Sequence, residues 1–202
     1  KLTSSIGAKN TNAYTWLEQT VYLNEIPANE LERWFRLEAE RFRMMALRLF
    51  HTELETVYEE FNINQDRDFR KVNQAIREEM FPSHPYGTQT TIGSPKDLRN
   101  PSQKNIQNFF QTYYVPNNMA IVLAGDFDPD EAVALAEQYF GSYPTGNVPP
   151  FTFEPQPGLT EPVHREVLGQ EAEHVVLAWR FGDSQTDDPL MVSLLQHLMG
   201  RW

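Results

Sequence analysis

No cysteine occurs in these 202 residues. That absence removes disulfides, thiolate catalysis and thiolate metal sites together, so any metal held here must take its ligands from His, Asp or Glu. It leaves the compartment open, because a disulfide-free chain suits the periplasm and the cytoplasm alike. Long apolar runs are also missing. Met119 to Ala124 and Val175 to Trp179 fall far short of the ~20 residues that span a bilayer, which excludes membrane insertion. Basic residues are few, 17 Lys and Arg against 28 Asp and Glu for a net charge of −11. No basic cluster is dense enough to track a phosphate backbone, so nucleic acid is not an expected partner.

What the chain does have is 40% hydrophobic and 12% aromatic residues, enough for one substantial core or for one domain and the start of another. It begins at Lys1 and stops at Trp202, directly after the apolar, helix-like run Leu190 to Met199. This reads as an interior piece of a larger protein.

Alternating β-formers between Asn12 and Ile26, among them Tyr14, Trp16, Val21 and Tyr22, predict a hairpin that turns at Leu17 to Gln19. Leu31, Trp34, Phe35, Glu38 and Phe42 recur at helical spacing and predict a helix over Ala28 to Arg43. Further helices are expected over Arg48 to Asn64, Asp68 to Met80, Ser102 (or Asn100) to Tyr114, and Pro129 to Phe140. The pairs Trp34/Phe35 and Phe109/Phe110 are expected as helix core. Thr88 to Leu98 reads as loop, and His84-Pro85-Tyr86-Gly87 as a rigid turn. The apolar run Met119 to Gly125 predicts a covered strand, as do Val163 to Leu168 and His174 to Phe181. Pro144, Pro149, Pro150, Pro155, Pro157 and Pro162 mark an extended connector, and a last helix should start at Asp187 or Asp188. Helices mixed with short strands, without regular βαβ alternation, favour an α+β fold.

The helix Arg48 to Asn64 carries the chemistry. On a wheel centred at Val57, its apolar residues Leu49, Phe50, Leu54, Tyr58 and Phe61 form one stripe. Glu53 lies about 40° and Glu60 about 60° to one side of Val57. Seven residues apart, the two carboxylates stack about 10.5 Å apart along one ridge at the stripe's edge. Burial there would require a cation, hydrogen bonds or a metal, and a salt bridge to a neighbouring Arg satisfies that need as well as a catalytic role does. His51, His84, His164, His174 and His197 supply no closely spaced ligand pair.

Several segments in order share one likeness: Gly7-Ala8, Asn12-Ala13-Tyr14-Thr15 with Thr20-Val21-Tyr22, Glu53-x6-Glu60, His84-Pro85-Tyr86-Gly87, Gly93 and Leu98, Tyr114-x-Pro116-x-Asn118-Met119, and Ala124-Gly125-Asp126. Together they resemble the pitrilysin/insulinase family of zinc peptidases over residues 2 to 140, the remainder corresponding to the opening of the next lobe. The resemblance implies helices layered on a mixed, largely antiparallel sheet, as in pitrilysin/mitochondrial processing peptidase-like metallohydrolases. It divides the chain into a lobe over 1–143, a connector over 144–162 and the beginning of a second, similar lobe over 163–202. It implies Glu60 as a zinc ligand, Glu53 as an acid of the catalytic site, and Asn12, Ala13, Tyr14 and Thr15 as an edge to which a peptide substrate adds as a strand. In that family zinc activates water and polarises the scissile carbonyl. The family's His-x-x-Glu-His is absent from these residues, so two imidazoles and the proton-accepting glutamate would lie upstream of Lys1. One carboxylate does not hold catalytic zinc, and this piece alone is expected to hydrolyse nothing. A non-catalytic homologue serving as a partner or assembly subunit, and a peptide-binding module using only the strand edge, are the competing expectations. Self-association or pairing with a homologous subunit stays open.

Overall fold

The computed structural model describes residues 2–65, 67–182, 186 and 188–199. Its elements are α1 (Leu2–Ser5), β1 (Lys9–Thr15), β2 (Thr20–Glu25), α2 (Leu31–Arg43), α3 (Phe50–Gln65), α4 (Asp68–Met80), α5 (Pro85–Thr88), α6 (Pro95–Arg99), α7 (Gln103–Tyr113), α8 (Pro129–Phe140) and α9 (Asp188–Met199). Asp187, the alternative start of the last helix, lies outside the described residues, as do the terminal Lys1 and Trp202. The chain forms two compact units, Lys1–Asn62 with Gln89–Phe153, and Ile63–Thr88 with Glu154–Trp202.

In the first unit, Pro27 caps a 3-10 turn, Ala28–Glu30, that leads into α2. The helical recurrence seen in the sequence buries Phe35 completely, with Glu38 and Ala39 beside it. Phe35 meets Phe140 of α8 edge to face at 6.4 Å, and Tyr139 Oη donates to Glu32 Oε1 at 3.1 Å. Tyr143 Oη donates to the carbonyl of Ala39. Helix α8 starts cleanly because the Asp128 carboxylate accepts the N–H groups of Asp130 and Glu131, with Pro129 in the first turn. Ser102 caps α7 by accepting from Asn105 N at 3.2 Å, as its sequence suggests. Phe109 departs from the expected core role, being 56% exposed.

Two differences from the sequence reading have plain causes. Thr88 to Leu98 is not all loop, because Ser94 and Asp97 form a reciprocal capping box that starts the short α6. Met119 to Gly125, 163–168 and 174–181 join no strand ladder among the described residues, where the sheet contains only β1 and β2. A strand is defined by the neighbour that takes its N–H and C=O groups, and β-forming residues alone do not supply one.

In the second unit, α4 ends at a ring cluster. His84 and Tyr86 lie 4.4 Å apart, and Phe81 and Tyr86 5.6 Å. Tyr86 N donates to Nδ1 of His84, which is itself buried, at 3.1 Å. The rigid turn expected for His84 to Gly87 is thus built around an imidazole acceptor. At the other end of α4, the Asp68 carboxylate takes the N–H groups of Gln170 at 2.6 Å and Glu171 at 2.7 Å, with Lys71 Nζ 3.5 Å away. A Cβ at Gly169 would stand 2.0 Å from Asp68 Oδ2, so only glycine permits this approach. Return contacts run to the far end of α4: Gln156 pairs with Ser83, Arg165 with Glu79, and Arg180 donates to the carbonyl of Met80. Residues 156–180 therefore pass from one end of α4 to the other and back, turning where Asp68 holds them.

The backbone N–H of Glu171, with that of Gln170, holds the Asp68 carboxyl below its ordinary value of 3.8. A depressed folded-state pKa contributes stability that is complete above the unfolded value and is lost as pH falls through the lower folded one. Asp68→Asn is expected to lower the urea midpoint at pH 7 and to converge on the parent in strong acid, which denaturation at both pH values measures.

Candidate functional site

The hairpin can be assigned bond by bond. Trp16 N donates to Gln19 O at 2.8 Å, which closes a loop through Leu17 and Glu18. Lys9↔Glu25, Asn12↔Leu23, Ala13↔Tyr22, Tyr14↔Val21 and Thr15↔Thr20 are paired, with a bulge between Lys9 and Asn12. In an antiparallel ladder hydrogen-bonded and non-hydrogen-bonded pairs alternate, so Ala13↔Tyr22 and Thr15↔Thr20 are of the second kind. Ala13 and Thr15 consequently turn their N–H and C=O groups off the outer edge of β1, while Asn12 and Tyr14 bond inward to β2. In agreement, Ala13 N donates to the Asn12 side chain, Oδ1, at 2.9 Å. All seven residues of β1 are exposed.

Helix α3 presents the second group. The expected stripe is present but only half-buried, through Phe50, Leu54, Val57, Tyr58 and Phe61, and Leu49 falls out of it, 73% exposed and one residue before α3 begins. Glu53 and Glu60 are both exposed, not set into the edge of a buried face. The burial cost inferred from the wheel does not arise, because α3 buries no residue fully. Among the described residues no three His, Asp or Glu side chains gather closely enough to hold a metal ion. A carboxylate oxygen is a donor that zinc accepts beside imidazole nitrogen, but the residues present do not make up a complete catalytic set.

A polar and aromatic cluster that the sequence reading missed lies behind the hairpin. Tyr22 Oη and Tyr114 Oη are 3.1 Å apart, Phe42 meets the Tyr22 ring edge to face at 5.3 Å, and the Arg41 guanidinium lies 5.7 Å from its centroid. Arg41 Nε is 3.0 Å from Oε2 of Glu38, whose side chain is 5% exposed. Burial raises the Glu38 carboxyl above its ordinary value against the pull of Arg41. Partial burial, then the bond with Tyr114, pushes the phenol of Tyr22, itself 37% exposed, above its ordinary range. The turn expected over Leu17 to Gln19 closes over Leu17 and Glu18 alone, and that difference of one residue sets Tyr22 opposite Ala13 instead of Tyr14.

Residues 102–202 match the family described as Peptidase M16 inactive domain. The chain belongs to the M16 peptidases, the family of the pitrilysin type. Zinc protease PqqE of Helicobacter pylori is 28% identical over 204 residues, covering 94% of this chain and 44% of that protein. Probable zinc protease PqqL of Escherichia coli is 26% identical over 141 residues, 67% of this chain and 15% of that protein. The crystal structure of the first half of the periplasmic protease PqqL from Escherichia coli is similar with a TM-score of 0.65 at 23% identity, over 74% of this chain and 34% of that one. This likeness and the helix-rich structure with its small antiparallel sheet agree on an α+β fold. The chain spans less than half the length of these curated relatives. Among the described residues no helix is long and apolar enough to cross a membrane.

Proposed function

We propose that this chain is part of a zinc-dependent endopeptidase, in which Glu60 supplies one metal ligand, Glu53 is a supporting acid on the same ridge, and the edge of β1 receives the peptide. The observation that carries the reading is the exposed edge with its outward-turned backbone groups at Ala13 and Thr15. An extended peptide adds there by main-chain hydrogen bonds, which are indifferent to most side chains and suit a broad range of peptide substrates. Until it does, the Asn12 side chain occupies the Ala13 N–H. Bound zinc supplies Lewis acidity to the scissile carbonyl and to water. Two histidines and a further glutamate from outside these 202 residues complete its site. Residues 1–143 belong to the peptidase lobe, 144–162 connect, and 163–202 open a second lobe. The match of residues 102–202 to an inactive domain supports placing the residues that serve catalysis before that span, where Glu53, Glu60 and β1 lie.

Full-length protein purified in the presence of zinc is expected to hold about one zinc per chain and to cleave unfolded casein, with cleavage abolished by a chelator and restored by zinc. Folded protein that holds no zinc and cleaves nothing would leave the chain as a non-catalytic partner subunit.

A further inference from the structure

We infer that Tyr22 is a positioning residue for the peptide-binding edge: clamped between α2 and α7, its ring fixes where Ala13 offers its outward N–H and C=O to an added strand. The inference rests on the reading of β1 as that edge. Three observations carry it. First, Tyr22 stands directly opposite Ala13 in a non-hydrogen-bonded pair, the arrangement that brings paired Cα atoms closest, to about 4.5 Å. A shift of Tyr22 is therefore passed to the residue whose backbone meets the peptide.

Second, β1 is exposed along its whole length. The side-chain bonds of Asn10 with Glu25, Thr11 with Asn24 and Thr15 with Thr20 run across the hairpin, to β2. Third, the Tyr22 ring reaches from β2 to the helices, where Phe42 and Arg41 of α2 and Tyr114, which follows α7, hold it. Arg41 is itself kept in place by the buried carboxylate of Glu38. Beside the ring a cavity of about 350 Å³ opens, lined also by Arg41, Met45, Ile106 and Phe109. The Tyr22 ring thus joins the hairpin that carries the edge to the helical layer.

The test compares steady-state cleavage of an internally quenched fluorogenic peptide by full-length variants. Tyr22→Leu keeps apolar bulk but loses the ring and hydroxyl, and is expected to raise KM about 10-fold with kcat changed less than about 2-fold. Tyr22→Phe, which keeps the ring in its clamp, should return KM to within about 3-fold of the parent. A role in stability alone would reduce the active fraction, and with it apparent kcat, at unchanged KM. That result for Tyr22→Leu overturns the inference. Should Tyr22→Leu not fold, Phe42→Leu withdraws one wall of the clamp. A KM rise of about 3-fold then supports the inference, and an unchanged KM overturns it. Ala13→Pro separates this outcome from failure of the underlying reading. It deletes the outward N–H, a position where an edge strand tolerates proline. An unchanged KM in Ala13→Pro removes β1 as the peptide edge, whereas a raised KM there with an unchanged KM in Tyr22→Leu removes the role of Tyr22 alone.

Discussion

Glu60→Gln in the full-length protein is expected to lower both zinc content and peptide cleavage by about 100-fold or more. Losing a residue that merely orients a zinc ligand costs 10- to 100-fold in metal affinity or activity, and losing a ligand itself lies at or beyond the top of that range. The change replaces a charged oxygen donor by a neutral amide of the same shape, so the helix is undisturbed and the effect reports on ligation. Glu59→Gln is the matched control. Its side chain leaves α3 about 100° around the helix from Glu60, is also exposed, and removes the same charge from the same turn. Equal losses in the two variants would assign the effect to the charge of the helix. Metal analysis and initial rates on the same preparations give both readouts.

The largest effect on stability is expected from Gly87→Ala. A Cβ there would stand 2.2 Å from the carbonyl oxygen of Phe81 and 2.5 Å from that of Arg77, and both atoms are backbone. Neither can swing aside as a flexible side chain would. Phe81 N donates to the Arg77 carbonyl, and His84 N to that of Phe81, so moving either atom unpicks the end of α4. The cost should reach about 3 kcal/mol, the upper part of the usual range for overpacking. It should come with loss of the ring packing among Phe81, His84 and Tyr86. Urea denaturation followed by tyrosine and tryptophan fluorescence measures the first, and near-ultraviolet circular dichroism the second. A change below about 1 kcal/mol would mean that the turn relaxes freely.

Most helices, and the hairpin, were legible because their signals are local. Ser102 caps α7, Pro129 opens α8, and Tyr14 with Val21 and Tyr22 alternate on either side of a short loop. What escaped depends on distant partners. Nothing near Asp68 announces that it will hold Gln170 and Glu171, some hundred positions away. The runs 119–125, 163–168 and 174–181 have the residues of strands, but pairing is a property of two segments. Ser94 and Asp97 carry a capping box, but a helix as short as α6 lacks the periodicity that marks a helix in sequence. On the wheel Glu53 and Glu60 stood out as carboxylates at risk of burial, yet both are exposed, because a half-buried stripe leaves its flank open to solvent. Only the family likeness points to Glu60 as a ligand. That Ala13 and Thr15 turn their backbone groups outward follows from register, which no single-strand pattern contains.

Crystals of the full-length protein grown with zinc, with diffraction recorded on both sides of the zinc absorption edge, test the central claim most directly. The expected result is one anomalous peak with a Glu60 carboxylate oxygen about 2.0 to 2.2 Å away and histidine nitrogens completing the set. A fully occupied zinc site that leaves Glu60 unbound would contradict it.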